Sequence, residues 1–237
     1  MTTPPTAPPS APAKQFKEAQ RAQVSMLSAF EKRTLIWLAH RMPAWVNSDH
    51  LTSLGLLSLI AAGISYWYSA THPIGLVLVI GFLITNWFGD SLDGTLARVR
   101  NRQRPRYGFY VDHIVDMFGT FFLIGGLGLS GFMSHSVAAG LILVYFMLSI
   151  EVYLTTYTIG TFHLSFWKFS PTELRILLCI GNLVLLAGQV RGKIGDREFL
   201  LFDIGGIIGI FGMTMMLLWA VYRHTVHLYN EERLPPQ

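Results

Sequence analysis

Cysteine is almost missing from this chain of 237 residues: Cys179 is the only one, it sits in an apolar run, and no disulfide framework can hold the fold. It reads as a packed thiol. Charge is scarce too. Asp, Glu, Lys and Arg together make up 14% of the residues, where ordinary soluble domains carry about 25%, and this excludes a water-soluble globule. The first thirteen residues, MTTPPTAPPSAPA, contain neither a basic stretch nor an apolar one, so they are no signal peptide and are expected to form a disordered tail. No repeat relates the first half of the apolar region to the second, which weighs against inverted-repeat carriers.

What is present is apolar surface. Hydrophobic residues reach 51% and mean hydropathy is +0.42. Runs long enough to span a bilayer lie at about 51–70, 74–99, 112–133, 136–158, 173–190 and 200–222. The pattern predicts an all-α polytopic integral membrane protein of six transmembrane helices within residues 46–230. Residues 14–45 mix Phe16, Val24, Leu27, Phe30, Leu35 and Trp37 with Lys and Arg, the pattern of an amphipathic helix lying in the membrane interface. Fifteen of the eighteen Lys and Arg then fall on one side, leaving Arg191, Lys193 and Arg197 on the other. The positive-inside rule places both termini in the cytoplasm, and it accounts for the net charge of +4 without invoking nucleic acid. Gly205 and Gly209 in GxxxG spacing, with Gly125, Gly126 and Gly128, are expected to serve close packing inside the bundle.

Ionised side chains at membrane depth are costly and functional by default. Asp90, Asp93, Asp112, Asp116, Glu151, Glu173 and Asp203 all fall there. Asp90 and Asp93 are spaced i,i+3 near the end of the second run, and Asp112 and Asp116 are spaced i,i+4 near the start of the third, so each pair shares a helix face. A short antiparallel connection turns the two faces toward each other. Four facing carboxylates repel, and hard divalent cations such as Mg²⁺ or Mn²⁺ are their natural counter-charge, with positions left for phosphate. Two such ions can hold the attacking and leaving oxygens of a phosphoryl displacement. Gly94 lets a ligand approach the backbone, and Arg98 offers a planar fork of donors to phosphate. A cation or solute carrier or channel using the same carboxylates is the alternative, but it would favour charges near the bilayer midplane.

The run Asp90-x-x-Asp93-Gly94-x-x-Ala97-Arg98, nine residues, Gly108-x-x-x-Asp112-x-x-x-Asp116 resembles, at all eight fixed positions, the signature of the CDP-alcohol phosphotransferase family. The likeness extends over about residues 40–225, with Asn47 and Thr52 in a familiar place before the first span. It implies a metal-dependent transferase of phospholipid biosynthesis that releases CMP at the cytoplasmic face and forms a homodimer. Asp90, Asp93, Asp112 and Asp116 would bind two Mg²⁺ or Mn²⁺ ions. Gly94, Ala97, Arg98 and Gly108 would bind the CDP-alcohol. Asp116 would also be the general base for an alcohol acceptor, expected to be a lipid.

On the acceptor side, Glu151, Lys168, Glu173 and Arg175 are the candidates. Glu151-x-Tyr153 and Pro171-Thr172-Glu173 resemble the amino-alcohol branch of the family, the choline and ethanolamine phosphotransferases, while Ser170-Pro171-x-Glu173 also reads as a capping box. Arg175 or Lys168 is expected to pair with Glu151. Arg100, Arg102, Arg104 and Arg106 are read as topology-setting charges, His113 as a packing residue, and His224 as a residue of the membrane end.

Overall fold

The computed structural model describes residues 28–159, 171–188, 190–194 and 197–233. The Pro-rich tail, the first half of the expected interfacial helix, Lys168 and Ser170 lie outside the described residues. The elements are α1 (Ser28–Arg41), α2 (Ser48–Ser69), α3 (Ile74–Val99), α4 (Pro105–Leu129), α5 (His135–Thr158), α6 (Pro171–Leu186), β1 (Arg191–Ile194), β2 (Arg197–Leu200) and α7 (Leu201–Glu231). Among the described residues, five helices, α2 to α5 and α7, are long and apolar enough to cross a membrane. The protein is therefore an all-α polytopic membrane protein, as expected, with one departure in the count. The fifth apolar run forms α6, whose 16 described residues reach about 24 Å at 1.5 Å per residue, less than a hydrocarbon core of about 30 Å.

Helix α2 lies at the centre, with α3 and α4 packed on it. Helix α3 also carries α1 and α6, α4 carries α5, and α5 carries α7. Small residues permit the closest approaches. A Cβ on Gly126 of α4 would sit 2.0 Å from the Gly63 carbonyl oxygen of α2, and one on Gly89 of α3 would sit 2.6 Å from the Leu51 carbonyl oxygen. Gly128 packs on Ala138 and Gly209 on Leu141, whereas Gly125 and Gly205 face no neighbour within 4 Å. The tight contact of α7 with α5 is made by Gly206 against Val137 instead. Tyr66 is fully buried and accepts a hydrogen bond from Asn182 Nδ2 at 3.0 Å, which pins α6 to α2.

Helix α1 does more than lie at an interface. Its Leu35 and Ala39, spaced i,i+4, are buried in one cluster with Leu92 and Leu96 of α3. Asn47 then opens α2 with a capping box, its Oδ1 accepting the His50 N–H at 2.9 Å and its own N–H donating to His50 Nδ1. At the opposite end of the bundle, Asp203 of α7 accepts the Ser134 N–H at 2.7 Å, so this acid satisfies a backbone donor at the start of α5. The hairpin of β1 and β2 was not anticipated. Its strands pair antiparallel, Arg191 with Leu200 and Ile194 with Arg197, and the Gly195-Asp196 dipeptide between them is the sequence signal for such a turn.

The turn between α3 and α4 sets the geometry of the site. Asn101 adopts φ 53°, its N–H donates to the Arg98 carbonyl at 3.1 Å, and the Arg102 N–H donates to the Ala97 carbonyl at 2.9 Å. This is a Schellman termination with Asn as the left-handed residue, and it reverses the chain into Pro105 in the first turn of α4. Helix α4 thus starts seven residues before the expected third run. The Arg100 guanidinium donates to the carbonyls of Met42, Pro43 and Val46, fastening the α1–α2 loop beneath the same turn. Replacing Asn101 with Val is expected to destabilise the protein by roughly 1–2 kcal/mol, while Asn101→Gly leaves it unchanged; thermal unfolding in detergent measures both.

Candidate active site

One end of the bundle gathers the ends of α3 and α5 and the starts of α2, α4 and α6. On α3, Asp90 and Asp93 are partly buried. The Asp93 carboxylate lies within the electrostatic reach of both Asp90 and Asp112, the latter on α4. Three members of the expected quartet are therefore neighbours. Helix α2 holds Asp93 in place: Thr52 donates its hydroxyl to Asp93 Oδ2 at 2.6 Å, and Ser48 donates to the Asp93 carbonyl at 2.9 Å. Asp116, one turn beyond Asp112, faces α5, where its charge acts on Tyr145 and Tyr153.

Beside the carboxylates the backbone is open. A Cβ on Gly94 would meet only the Arg98 guanidinium, 3.5 Å away, and one on Gly108 would meet nothing within 4 Å. Neighbouring protein atoms therefore do not demand glycine at Gly108, and both positions leave room for a ligand. Arg98 is exposed and donates to Thr95 Oγ1 at 3.1 Å, so its fork lies over Gly94. Ala97, on the last turn of α3, keeps that face low.

A comparison with protein families matches residues 45–226 of this geometry-bearing region to the model described as CDP-alcohol phosphatidyltransferase. The chain belongs to the CDP-alcohol phosphatidyltransferase family. A comparison with curated proteins yields no match. Membership makes the protein a transferase with a CDP-alcohol phosphotransferase role in phospholipid synthesis, in a family that is generally dependent on divalent metal.

The donor set fits such an ion in its chemistry, because this CDP-alcohol phosphatidyltransferase offers the carboxylate oxygens of Asp90, Asp93, Asp112 and Asp116, the ligands that hard cations take. Among the described residues, no three acidic, imidazole or thiol groups converge as a formed metal centre. In this arrangement Asp90 is bonded to Arg175 and Asp93 to Thr52.

The acceptor-side candidates are dispersed. Arg175 of α6 does not pair with Glu151. Its Nε donates to Asn86 Oδ1 at 2.7 Å and its Nη2 to Asp90 Oδ2 at 2.5 Å, while Asn86 Nδ2 donates to the Gly55 carbonyl. The partners of Glu151 are His224 of α7, with Nδ1 2.6 Å from Oε1, and Thr155, whose hydroxyl donates to the same oxygen at 2.8 Å. Arg175 is therefore not the partner of Glu151, and the Lys168 alternative lies outside the described residues; residues two apart on a helix project about 200° apart. Glu151 faces α7, and Tyr153 faces the α4 carboxylates. Glu173 and Arg175 are separated in the same way on α6. His113 packs as expected, its ring 4.1 Å from Phe109 and edge-on to Tyr153.

Sequence reasoning missed the polar stripe of α5. Tyr145, Ser149 and Tyr153 are spaced i,i+4,i+8 on one face of α5, and the Ser149 hydroxyl donates to the Tyr145 backbone carbonyl at 2.9 Å. That spacing through a membrane span was the available signal.

Proposed function

We propose that this enzyme transfers the alcohol phosphate of a CDP-amino-alcohol to diacylglycerol, releasing CMP, at the cytoplasmic face of the membrane and as a homodimer. The observation that carries the reading is that Asp93 lies within electrostatic reach of Asp90 on its own helix and Asp112 on the next, beside the open Gly94–Arg98 face. Arg98, Gly94, Ala97 and Gly108 receive the CDP pyrophosphate. Asp90, Asp93, Asp112 and Asp116 would hold a pair of Mg²⁺ or Mn²⁺ ions, which would supply charge neutralisation at the reacting phosphates. Phosphoryl transfer requires little else beyond positioning. The acceptor oxygen forms a bond to the β-phosphorus, the bond from that phosphorus to the bridging oxygen breaks, CMP departs with the electron pair, and Asp116 takes the hydroxyl proton. Tyr145, Ser149 and Tyr153 line the approach to Asp116 and orient that hydroxyl.

An uncharged acceptor is favoured by charge. A phosphorylated alcohol brings a dianion beside four carboxylates and needs several Arg or Lys in matching forks. Arg175, a natural member of such a clamp, is committed to Asn86 and Asp90. Glu151, already answered by His224 and Thr155, is assigned to joining α5 and α7 rather than to meeting a donor ammonium, so the amino-alcohol choice rests on Tyr153 and the Pro171-Thr172-Glu173 likeness. Purified protein is expected to release CMP from CDP-choline or CDP-ethanolamine with diacylglycerol. Release from CDP-diacylglycerol with glycerol phosphate or inositol phosphate, and not from the first pair, would overturn this choice of substrates.

A further inference from the structure

Glu31 belongs to no motif, yet it joins three helices. It stands one turn before Leu35 on the face of α1 that packs on α3. Its Oε1 accepts the Trp87 indole N–H of α3 at 2.8 Å and the Thr172 hydroxyl of α6 at 2.9 Å. Thr172 precedes Arg175 by three residues, so the two share a face of α6. On α3, Trp87 precedes Asp90 by the same interval. The bonds close a circuit: Glu31 to Thr172, along α6 to Arg175, across to Asn86 and Asp90, and back along α3 through Trp87 to Glu31. The pair at its centre is well shielded, with the Arg175 side chain 14% exposed and that of Asp90 26% exposed.

We infer that Glu31 is a positioning residue which, by gripping Thr172 and Trp87, holds Arg175 against Asp90 as a built-in counter-charge that limits how tightly the carboxylate cluster binds a divalent cation. This deepens the proposed function and rests on its assignment of Asp90 as a metal ligand. A carboxylate accepting two donors makes a stronger tie than a neutral acceptor does. A guanidinium fixed on Asp90 both occupies one of its oxygens and repels an incoming cation. Helix α1 thereby reaches the chemistry without touching a substrate.

Titration of Mn²⁺ against the full-length protein in detergent, with free Mn²⁺ read by electron paramagnetic resonance, tests this directly. Removing the grip is expected to tighten Mn²⁺ binding: by about threefold in Glu31→Ala and Thr172→Val, and by about tenfold in Arg175→Gln. Thr172→Val keeps the side-chain shape and changes no charge, so it separates the grip from misfolding. Glu31→Gln retains an acceptor oxygen and stays within about twofold of the parent. The Glu31→Ala, Arg175→Gln double variant matches Arg175→Gln alone, because Glu31 has nothing left to position. Unchanged or weaker Mn²⁺ binding in both Glu31→Ala and Thr172→Val, a further shift in the double variant, or no Mn²⁺ binding by the parent would each overturn the inference. CMP release from the donor panel is scored on the same samples. Its absence from a parent that binds Mn²⁺ overturns the substrate reading, and leaves the Glu31 inference to be decided by the Mn²⁺ shifts.

Discussion

Asp116→Asn is expected to cut CMP release on the order of 10²–10⁴-fold, the contribution of a positioned general base, while the dissociation constant for the CDP-alcohol changes by less than about tenfold. Asp116 is set apart from the other three carboxylates by its reach to Tyr145, Asp112 sharing only its reach to Tyr153. Asp93 is bonded to Thr52 and neighbours Asp90 and Asp112, whereas Asp116 looks toward Tyr145 and Tyr153 on α5, the side from which a lipid hydroxyl would come. Asparagine keeps the shape and one acceptor oxygen, but it cannot take a proton. Asp93→Asn and Arg98→Ala should instead weaken donor binding, because their groups are assigned to holding the pyrophosphate. Single-turnover rates with saturating acceptor, set beside equilibrium binding of the CDP-alcohol, separate the two effects. Near-normal turnover in Asp116→Asn would remove it as the base.

Exhaustive chelation is expected to abolish CMP release, and millimolar Mg²⁺ or Mn²⁺ to restore it. The electrostatic reason is local. Asp93 lies within electrostatic reach of Asp90 and Asp112 at partial burial, and Arg175 is a cation bonded to Asp90. A pyrophosphate adds further negative charge to that neighbourhood, and Arg98 alone does not balance it. Hard divalent cations supply the charge and accept the available oxygens. CMP release measured across a chelator titration checks the point, and full activity at zero free divalent ion would exclude the metal role of the quartet.

Much of this enzyme could be read from its residues in order. Low charge and long apolar runs dictated the membrane class, since a chain with so few polar groups cannot be solvated in water. The helix period dictated which carboxylates share a face, because i,i+3 and i,i+4 spacings align side chains whatever the surroundings. The eight-position signature reached the family, and the family comparison agrees with that reading. The capping signal at Asn47 and the Gly195-Asp196 dipeptide were equally present in sequence, although neither was read as such.

What contacts across helices decide could not be read that way. Arg175 or Lys168 was expected to pair with Glu151 because a carboxylate late in a span needs a partner, but that need leaves rotation about the helix axis undefined. Packing of α6 on α3, and of α7 on α5, sends Arg175 to Asp90 and gives Glu151 to His224. Rotation of α7 likewise turns Gly206 rather than Gly205 toward α5, and that of α5 puts Tyr145 and Tyr153 within electrostatic reach of Asp116. Glu31 had no sequence signal at all, since its partners stand 56 and 141 residues away. Spacing along one helix is determined by covalent geometry and is therefore legible in sequence; which face meets which neighbour is determined by the packing of all the helices at once, and only the tertiary structure decides it.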